Sequence, residues 1–485
     1  MKRYCASENF WSVFLSGLLV FSIAGCAGGS SPTPAPLSTG NINLIFVVTP
    51  DLANDPLGDI NPVTANLDDQ GLQRSLLMGA YLRQQVLGTR NVTRISVLEP
   101  MTHLQTVNNY PDMAAIEFIQ QFALLNQITL LGTTANSYPL AASYGGPADV
   151  PGGVVMPGSY PADCQGLVFN DAGGNNVALV TRIIDANIPG FYVFSTPWET
   201  ASALLANINR IKGYDLNLPT AYKGPNYIYV LTITPSGVAS LLTYDSKLTP
   251  SAAYPVLPSP VPGASCTQQA HFSYSRTGGI NGVVVPPGTN INETVYLIRH
   301  AEAHPASTFD DGNYVGAGQW RALDLPNVLP GALRGRVSPT LVYSIDPAQS
   351  FTLGSFGISY VRPSLTVLPY AIANNLPCHL VAGFYIGKPA DQAVARATSD
   401  FFFTGGNFSN QTVLLAWEHN HFPPLITYLL QSYGGSVPVP QLSWPQGDYD
   451  TIWTVRLDGK GNLTVDNELC EGIDSAKLPV TAPKF

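Results

Sequence analysis

The chain predicts an α/β fold present twice in tandem: two three-layer α/β/α domains, each with a mostly parallel central sheet. Three observations carry this expectation. The apolar runs INLIFVV, YVFS, TVYLI and TVLLAW are nearly continuous, as strands buried on both faces of a parallel sheet must be. Segments with helical spacing stand between them, so strand and helix alternate along each half. Six segments recur in the same order in the two halves, as one unit copied once would give.

In chain order, residues 1–25 read as an export leader. Lys2 and Arg3 precede an apolar run from Phe10 to Ile23, too short and wrongly flanked to span a membrane, which ends in Ile23-Ala24-Gly25-Cys26. A cysteine directly after small residues resembles the lipobox of bacterial lipoproteins. That resemblance implies cleavage before Cys26 and a lipid on it. With Ala27 next, it implies an outer-membrane anchor facing the periplasm or cell surface. Residues 26–40, rich in Ser, Pro and Gly, form a flexible tether. The first copy spans 41–255, a Pro/Gly/Ser-rich linker 256–290, the second copy 291–475 and a tail 476–485.

Each copy opens on a strand and a loop carrying an acid, NLIFVVTPD (Asn43 to Asp51) matching TVYLIRHAE (Thr294 to Glu302). A helix follows, opening at Gly71 or Gly318, with Arg74 and Arg321 in equivalent places where a structural role at the helix start is favoured. The strands TRISVLEP and TLVYSIDP end at Glu99-Pro100 and Asp346-Pro347. Tyr110-Pro111-Asp112 and Tyr360-Val361-Arg362 then introduce the second helices. GFYVFSTPWE matches QTVLLAWEHN as a strand running into a helix. NYIYVLTITPSG and YDTIWTVRLDGKG close the copies as alternating edge strands.

Composition limits the function. Of 485 residues 45% are hydrophobic and only 11% charged, with a net charge of −9, so no basic footprint for nucleic acid exists and any anion site must be local. Beyond the leader and Cys26, four cysteines remain, an even number that suits two disulfides in an oxidising compartment. Their places in the repeat suggest Cys164 with Cys266 and Cys378 with Cys470, each bond within its own copy. No cysteine or histidine spacing of a metal site occurs, nor a Walker-type loop.

Chemistry concentrates in VYLIRHAEAHP, Val295 to Pro305. Arg299 offers a planar, permanently charged fork for phosphate oxygens, and His300 a group able to act as nucleophile or proton carrier, both where a parallel strand ends. Arg362 before a helix and His419 after a strand complete a second-copy set that the first copy lacks. There, Val48, Thr49 and Asp112 stand in the places of Arg299, His300 and Arg362, and Pro197 or Thr200 in that of His419.

Over most of 291–475 these residues resemble the histidine phosphatases, the phosphoglycerate mutase-like superfamily. The resemblance implies that His300 is the nucleophile and becomes phosphorylated, with Arg299, Arg362 and His419 around the phosphoryl oxygens. Two arginines and a second imidazole can position and stabilise the transferring group without a metal, so no cofactor is expected. The proton donor stays open. Asn420 follows His419 where the phytase branch of the family has an Asp, which leaves Glu302, Asp346 and Glu418 in that order, with His304 an outside possibility. His304 and His421 are also possible substrate-binding residues.

The expected activity is metal-independent phosphomonoester hydrolysis through phosphohistidine at His300. The partners are a phosphorylated small molecule or phosphoprotein as substrate and the membrane through the lipid, with no nucleic acid. The alternative is a cell-envelope binding or structural lipoprotein with an inactive anion pocket. The first copy is expected to be a non-catalytic scaffold or binding domain.

Overall fold

The computed structural model describes residues 36–54, 57–126, 140–141, 166–266, 270–303, 311–348, 350–353, 356–381 and 392–485. The leader, Cys26, Cys164 and His304 lie outside them. The first half runs β1 (Ile42–Val48), α1 (Asp69–Tyr81), β2 (Arg94–Val97), a short hairpin of β3 (Leu104–Gln105) and β4 (Tyr110–Pro111), α2 (Ala114–Leu125), β5 (Leu140–Ala141), α3 (Asn175–Ala186), β6 (Gly190–Thr196), α4 (Trp198–Lys212), β7 (Tyr227–Ile233) and β8 (Ala239–Asp245). The second runs β9 (Ser273–Arg276), β10 (Glu293–Arg299), α5 (Gly316–Ala332), β11 (Leu341–Ile345), the hairpin β12 (Ser350–Leu353) and β13 (Phe356–Ser359), α6 (Arg362–Ala373), β14 (Cys378–Val381), α7 (Gln392–Phe403), β15 (Thr412–Trp417), α8 (Phe422–Ser432), β16 (Thr451–Leu457) and β17 (Leu463–Cys470). Among the described residues no helix is long and apolar enough to cross a membrane.

The two sheets share one topology. The first has the order β5-β2-β6-β1-β7-β8, and the second repeats it as β14-β11-β15-β10-β16-β17 before adding β9. In both, the inner strands are parallel and the last two antiparallel, the mixed sheet the apolar runs predict. Register agrees as well. Val48 lies opposite Thr196 in the first sheet and Arg299 opposite Trp417 in the second. The next backbone N–H groups, of Thr49 and His300, bond the carbonyls of Thr196 and Trp417 at 3.1 and 3.0 Å. Thr49 and His300 therefore occupy one position of one fold.

Strand alternation sorts the side chains into layers. Leu44, Phe46 and Val48 of β1 join Leu179, Val180, Leu204 and Leu205 of α3 and α4 on an outer face. Val295 and Leu297 of β10 likewise join Phe402 of α7 and Leu425 and Leu429 of α8. The intervening residues Ile45, Val47, Tyr296 and Ile298 all enter one shared cluster, with Leu72 of α1, Phe118 of α2, Leu325 of α5 and Leu365 of α6. The inner helices of the two halves thus form a common core. Gln120 and Asn313 seal it with a reciprocal pair of amide hydrogen bonds at 2.8 and 2.9 Å.

Close packing at the helix starts explains the paired glycines. A Cβ on Gly71 would stand 2.1 Å from the Asp59 carbonyl oxygen, and one on Gly318 2.8 Å from that of Glu302. Only glycine lets α5 press against the loop that leaves β10. The paired arginines are structural, as expected. Arg74 bonds Asp59 at 2.8 Å and Asn226 at 2.7 Å. Arg321 is fully buried and gathers Glu302, Asp450, Glu471 and Ser475.

The disulfides differ from both expected pairs. Cys266 bonds Cys470 across a Cα separation of 5.6 Å, and Cys378 is a buried free thiol on β14. The reason is β9: the linker returns to the outer edge of the second sheet, where Ser273–Arg276 pair antiparallel with β17. Cys266 therefore travels with the second half and meets the end of its last strand. Burial pushes the Cys378 thiol up to about 12, so it is protonated and inert.

Several carboxyl groups are buried in the protonated range. Burial pushes Glu117, Glu293 and Glu471 up to about 8, and Asp51 and Asp346 up to about 7. Above the ordinary carboxyl range the unfolded chain has lost these protons while the native chain keeps them. Raising pH through the native values therefore withdraws stability. Buried His103 and His379, held near 4, act below about pH 6.5, where the unfolded imidazoles charge first. The melting temperature is expected to fall by roughly several degrees between pH 6.5 and 8.5. A melting temperature that rose over that interval in a calorimetric pH series would contradict these protonation states.

Candidate active site

Arg299 and His300 sit where β10 leaves the sheet. Arg299 is the last strand residue, and its Nη1 donates to the carbonyls of Gln446 and of Asp448, the latter at 3.1 Å. Its guanidinium carbon lies 3.9 Å from the centre of the Tyr449 ring. No carboxylate forms a salt bridge with Arg299 among the described residues; carbonyl dipoles and an aromatic face meet its charge directly, and Glu418 acts on it through space. Trp444 braces this loop from within, donating from Nε1 to the Asp448 carbonyl at 3.0 Å.

His300 is 2% exposed. Its Nδ1 is 2.8 Å from the Ala301 carbonyl oxygen. A carbonyl only accepts, so Nδ1 carries the ring proton and Nε2 keeps its lone pair. Burial first, then Arg362 and Arg299, hold this imidazole well below its ordinary value. It is neutral at physiological pH. The Ala301 N–H donates to Thr366 Oγ1 on α6 at 2.8 Å, which pins the His300 loop to the helix that begins with Arg362.

Arg362 enters from that helix start, its backbone N–H bonded to the Gly312 carbonyl at 3.0 Å. Its guanidinium carbon lies 4.8 Å from the Tyr360 ring centre. Tyr360 and Tyr449 also flank His300, with ring centres 6.0 and 6.1 Å away. The two tyrosines therefore hold both arginines against one imidazole. Neither was marked by the sequence, where an aromatic residue in a loop reads as ordinary surface.

After β15, Glu418 organises the remaining histidines. Its Oε1 is 2.8 Å from His419 Nδ1, off the axis of a good hydrogen bond, and its Oε2 is 3.1 Å from His421 Nδ1. The Asn420 side-chain and backbone N–H groups complete its partners at 2.8 and 2.9 Å. Burial opposes the charge on Glu418, but His419 and His421 beside it outweigh that and hold the carboxyl below the usual range. It is ionised, so it cannot be the proton donor. Strand alternation does not govern where Glu418 points, because the strand ends at Trp417.

The other donor candidates are placed elsewhere. Glu302, the first choice, is bound through Oε1 to Arg321 at 2.9 Å and to Ser475 at 2.8 Å. Asp346 is fully buried, accepts from Ala348 N–H at 2.8 Å and acts electrostatically on Glu99, its counterpart in the first half. The charges acting on His300 are those of Arg362, Arg299 and Glu418. The structure thus brings Arg299, His300, Arg362 and Glu418 together, with His419 and His421 bound to Glu418. It does not add Glu302 or Asp346 to them.

The first half is altered at the same positions. Sheet register sets Val48 and Thr49 against Arg299 and His300, as expected, and extends by straight count to Trp198 against His419, in place of Pro197 or Thr200. The connection there is shorter, with α4 beginning at Trp198 directly after Pro197, while α8 begins at Phe422. Matched by helix start, Ala114 stands at the place of Arg362, and Asp112 comes two residues earlier.

No family model and no curated protein matches the chain. Similar solved structures include the protein histidine phosphatase SixA complexed with tungstate, at 18% identity and a TM-score of 0.25, covering 37% of this chain and 97% of that one. They also include a phosphoglycerate mutase from Plasmodium falciparum, at 14% identity and a TM-score of 0.25, covering 40% of this chain and 99% of that one. Likeness this loose carries no argument about chemistry, which rests on the geometry above.

Proposed function

We propose that the second half is a phosphomonoester hydrolase acting through a phosphohistidine at His300. The observation that carries this is the neutral imidazole, its Nδ1 committed to the Ala301 carbonyl, set beside Arg299 and Arg362. A cationic imidazole could not attack, and a site without local positive charge would repel a phosphate dianion. Nε2 attacks phosphorus in line and the P–O bond to the leaving group breaks. The arginines stabilise the charge spread over the peripheral oxygens. The departing alkoxide takes a proton from one of the imidazoles held by Glu418, His419 or His421. Water then attacks the phosphohistidine and gives its proton back to that imidazole as the P–N bond breaks, releasing phosphate and restoring neutral His300.

Nothing in this sequence of steps requires a metal. Hydrolysis of p-nitrophenyl phosphate by the intact chain is therefore expected to persist, within about twofold, in excess EDTA. Loss of turnover on chelation, restored by added metal, would overturn the metal-independent mechanism. Phosphate or vanadate binding with no turnover at all would favour the inactive anion-pocket alternative.

A further inference from the structure

Ala301, the residue after the nucleophile, is held at both ends. Its carbonyl accepts from the His300 ring at 2.8 Å, and its N–H donates to Thr366 Oγ1 at 2.8 Å. Thr366 stands one turn beyond Arg362 on α6, and the same hydroxyl lies 2.7 Å from the Arg362 carbonyl oxygen. A carbonyl can only accept and a backbone N–H can only donate, so the hydroxyl gives its proton to Arg362 and takes the Ala301 N–H on a lone pair. Ala301 and Thr366 are fully buried, which shields both bonds from bulk water. A helical threonine is satisfied by the carbonyl four residues back. Here the hydroxyl makes a second bond, and a continuous chain joins the His300 ring, through Ala301 and Thr366, to the backbone of Arg362.

The first half lacks both ends of this bridge. Sheet register sets Thr49 against His300, so Pro50 stands in the place of Ala301, and proline has no N–H to donate. The helix α2 reads AAIEFIQQFALL and carries no serine or threonine. Matched by helix start, Phe118 stands at the place of Thr366 and enters the shared core. A bond that merely braced the fold would serve either half. Its two partners are missing together where the nucleophile is missing, although the strand order and register are kept.

We propose that Thr366 is a positioning residue for the reaction: its hydroxyl fixes Ala301 so that the Ala301 carbonyl holds the ring proton of His300 on Nδ1 and leaves Nε2 free to attack beside Arg362. The assignment rests on the phosphohistidine reading of His300. Thr366 acts through the Ala301 backbone and takes no part in the transfer itself. Without its hydroxyl the Ala301 N–H has no acceptor, the loop shifts, and the carbonyl no longer selects one tautomer. The fraction of His300 with Nε2 free and in line then falls, and small misplacements of a nucleophile are costly in rate.

The test compares the intact chain, labelled with ¹⁵N-histidine, as wild type, Thr366→Val, Ala301→Pro and Thr366→Ser. Valine keeps the shape of threonine and removes the hydroxyl. Proline removes the N–H at the other end of the bond, at a backbone position that Pro50 occupies in the first half, and either variant decides the matter if the other misfolds. The imidazole nitrogen resonances of His300, assigned among the seven histidines by their loss in His300→Ala, are expected to show one tautomer in the wild type, with the proton on Nδ1. Thr366→Val and Ala301→Pro are expected to show mixed tautomers and to lower kcat on p-nitrophenyl phosphate about thirtyfold, with KM within about twofold because both arginines remain. Thr366→Ser should restore the single tautomer and most of the rate. An unchanged Nδ1–H tautomer in a folded Thr366→Val or Ala301→Pro protein, or a kcat within about twofold of wild type, would overturn the proposal. Absence of turnover in the wild type would count against the phosphohistidine reading instead, and the nitrogen resonances would still decide the role of Thr366.

Discussion

His300→Ala is expected to reduce phosphomonoester hydrolysis to below about a thousandth of the wild-type rate without unfolding the chain. The loss is in kcat, because the variant keeps both arginines and hence much of the binding. The fold should tolerate the change, since among the described residues the imidazole's one hydrogen bond is to the Ala301 carbonyl and its ring neighbours are tyrosines. Initial rates on p-nitrophenyl phosphate, with the melting temperature as control, check it. A His300→Ala protein that kept most of its turnover would remove this residue from the chemistry.

The next largest effect is expected at the arginines. Arg362→Ala should lower kcat/KM by about 10²–10³-fold, because its guanidinium is placed to meet charge that grows as the phosphoryl group transfers. Arg362→Lys should recover only part of that loss, since an ammonium cannot supply the planar fork. Arg299→Met gives a complementary signature. Its buried charge meets carbonyls and a tyrosine ring directly and Glu418 only through space, so the uncharged variant should lose activity while its melting temperature changes little. Loss of activity in step with loss of stability would instead mark Arg299 as structural.

Much of the fold was legible because buried parallel strands have a plain signature. β1, β6 and β15 are buried over their whole length and read as unbroken apolar runs. The repeat then carried register from one half to the other, so that Thr49 and His300, or Glu99 and Asp346, were paired correctly without coordinates. What escaped was set by long-range returns of the chain. Ser273–Arg276 carries no strong strand pattern and becomes β9 only because the edge of β17 is available, and this return brings Cys266 to Cys470.

The site was legible where chemistry is local and obscure where it is relational. Arg299-His300 announces itself, but whether His300 is charged depends on burial and on Arg362, more than sixty residues away in sequence. Glu418 looked like a possible acid and is an ionised clamp for two histidines, which only the turn beyond Trp417 determines. Tyr360 and Tyr449 gained meaning only once the arginines were seen against their rings. Asp112 was set against Arg362 by matching Tyr110 to Tyr360, but Tyr110 lies within β4 and Tyr360 beyond the end of β13, so that match is two residues out of step.

The most direct test of the phosphohistidine is to catch it. The intact chain, quenched in alkali within milliseconds of mixing with a ³²P-labelled phosphomonoester, should carry label that is alkali-stable and acid-labile. Peptide mapping should locate that label on His300, and Nε2 should be the substituted nitrogen because Nδ1 is bonded to the Ala301 carbonyl. Label that persisted in His300→Ala, or turnover with no labelled protein at any quench time, would contradict the mechanism.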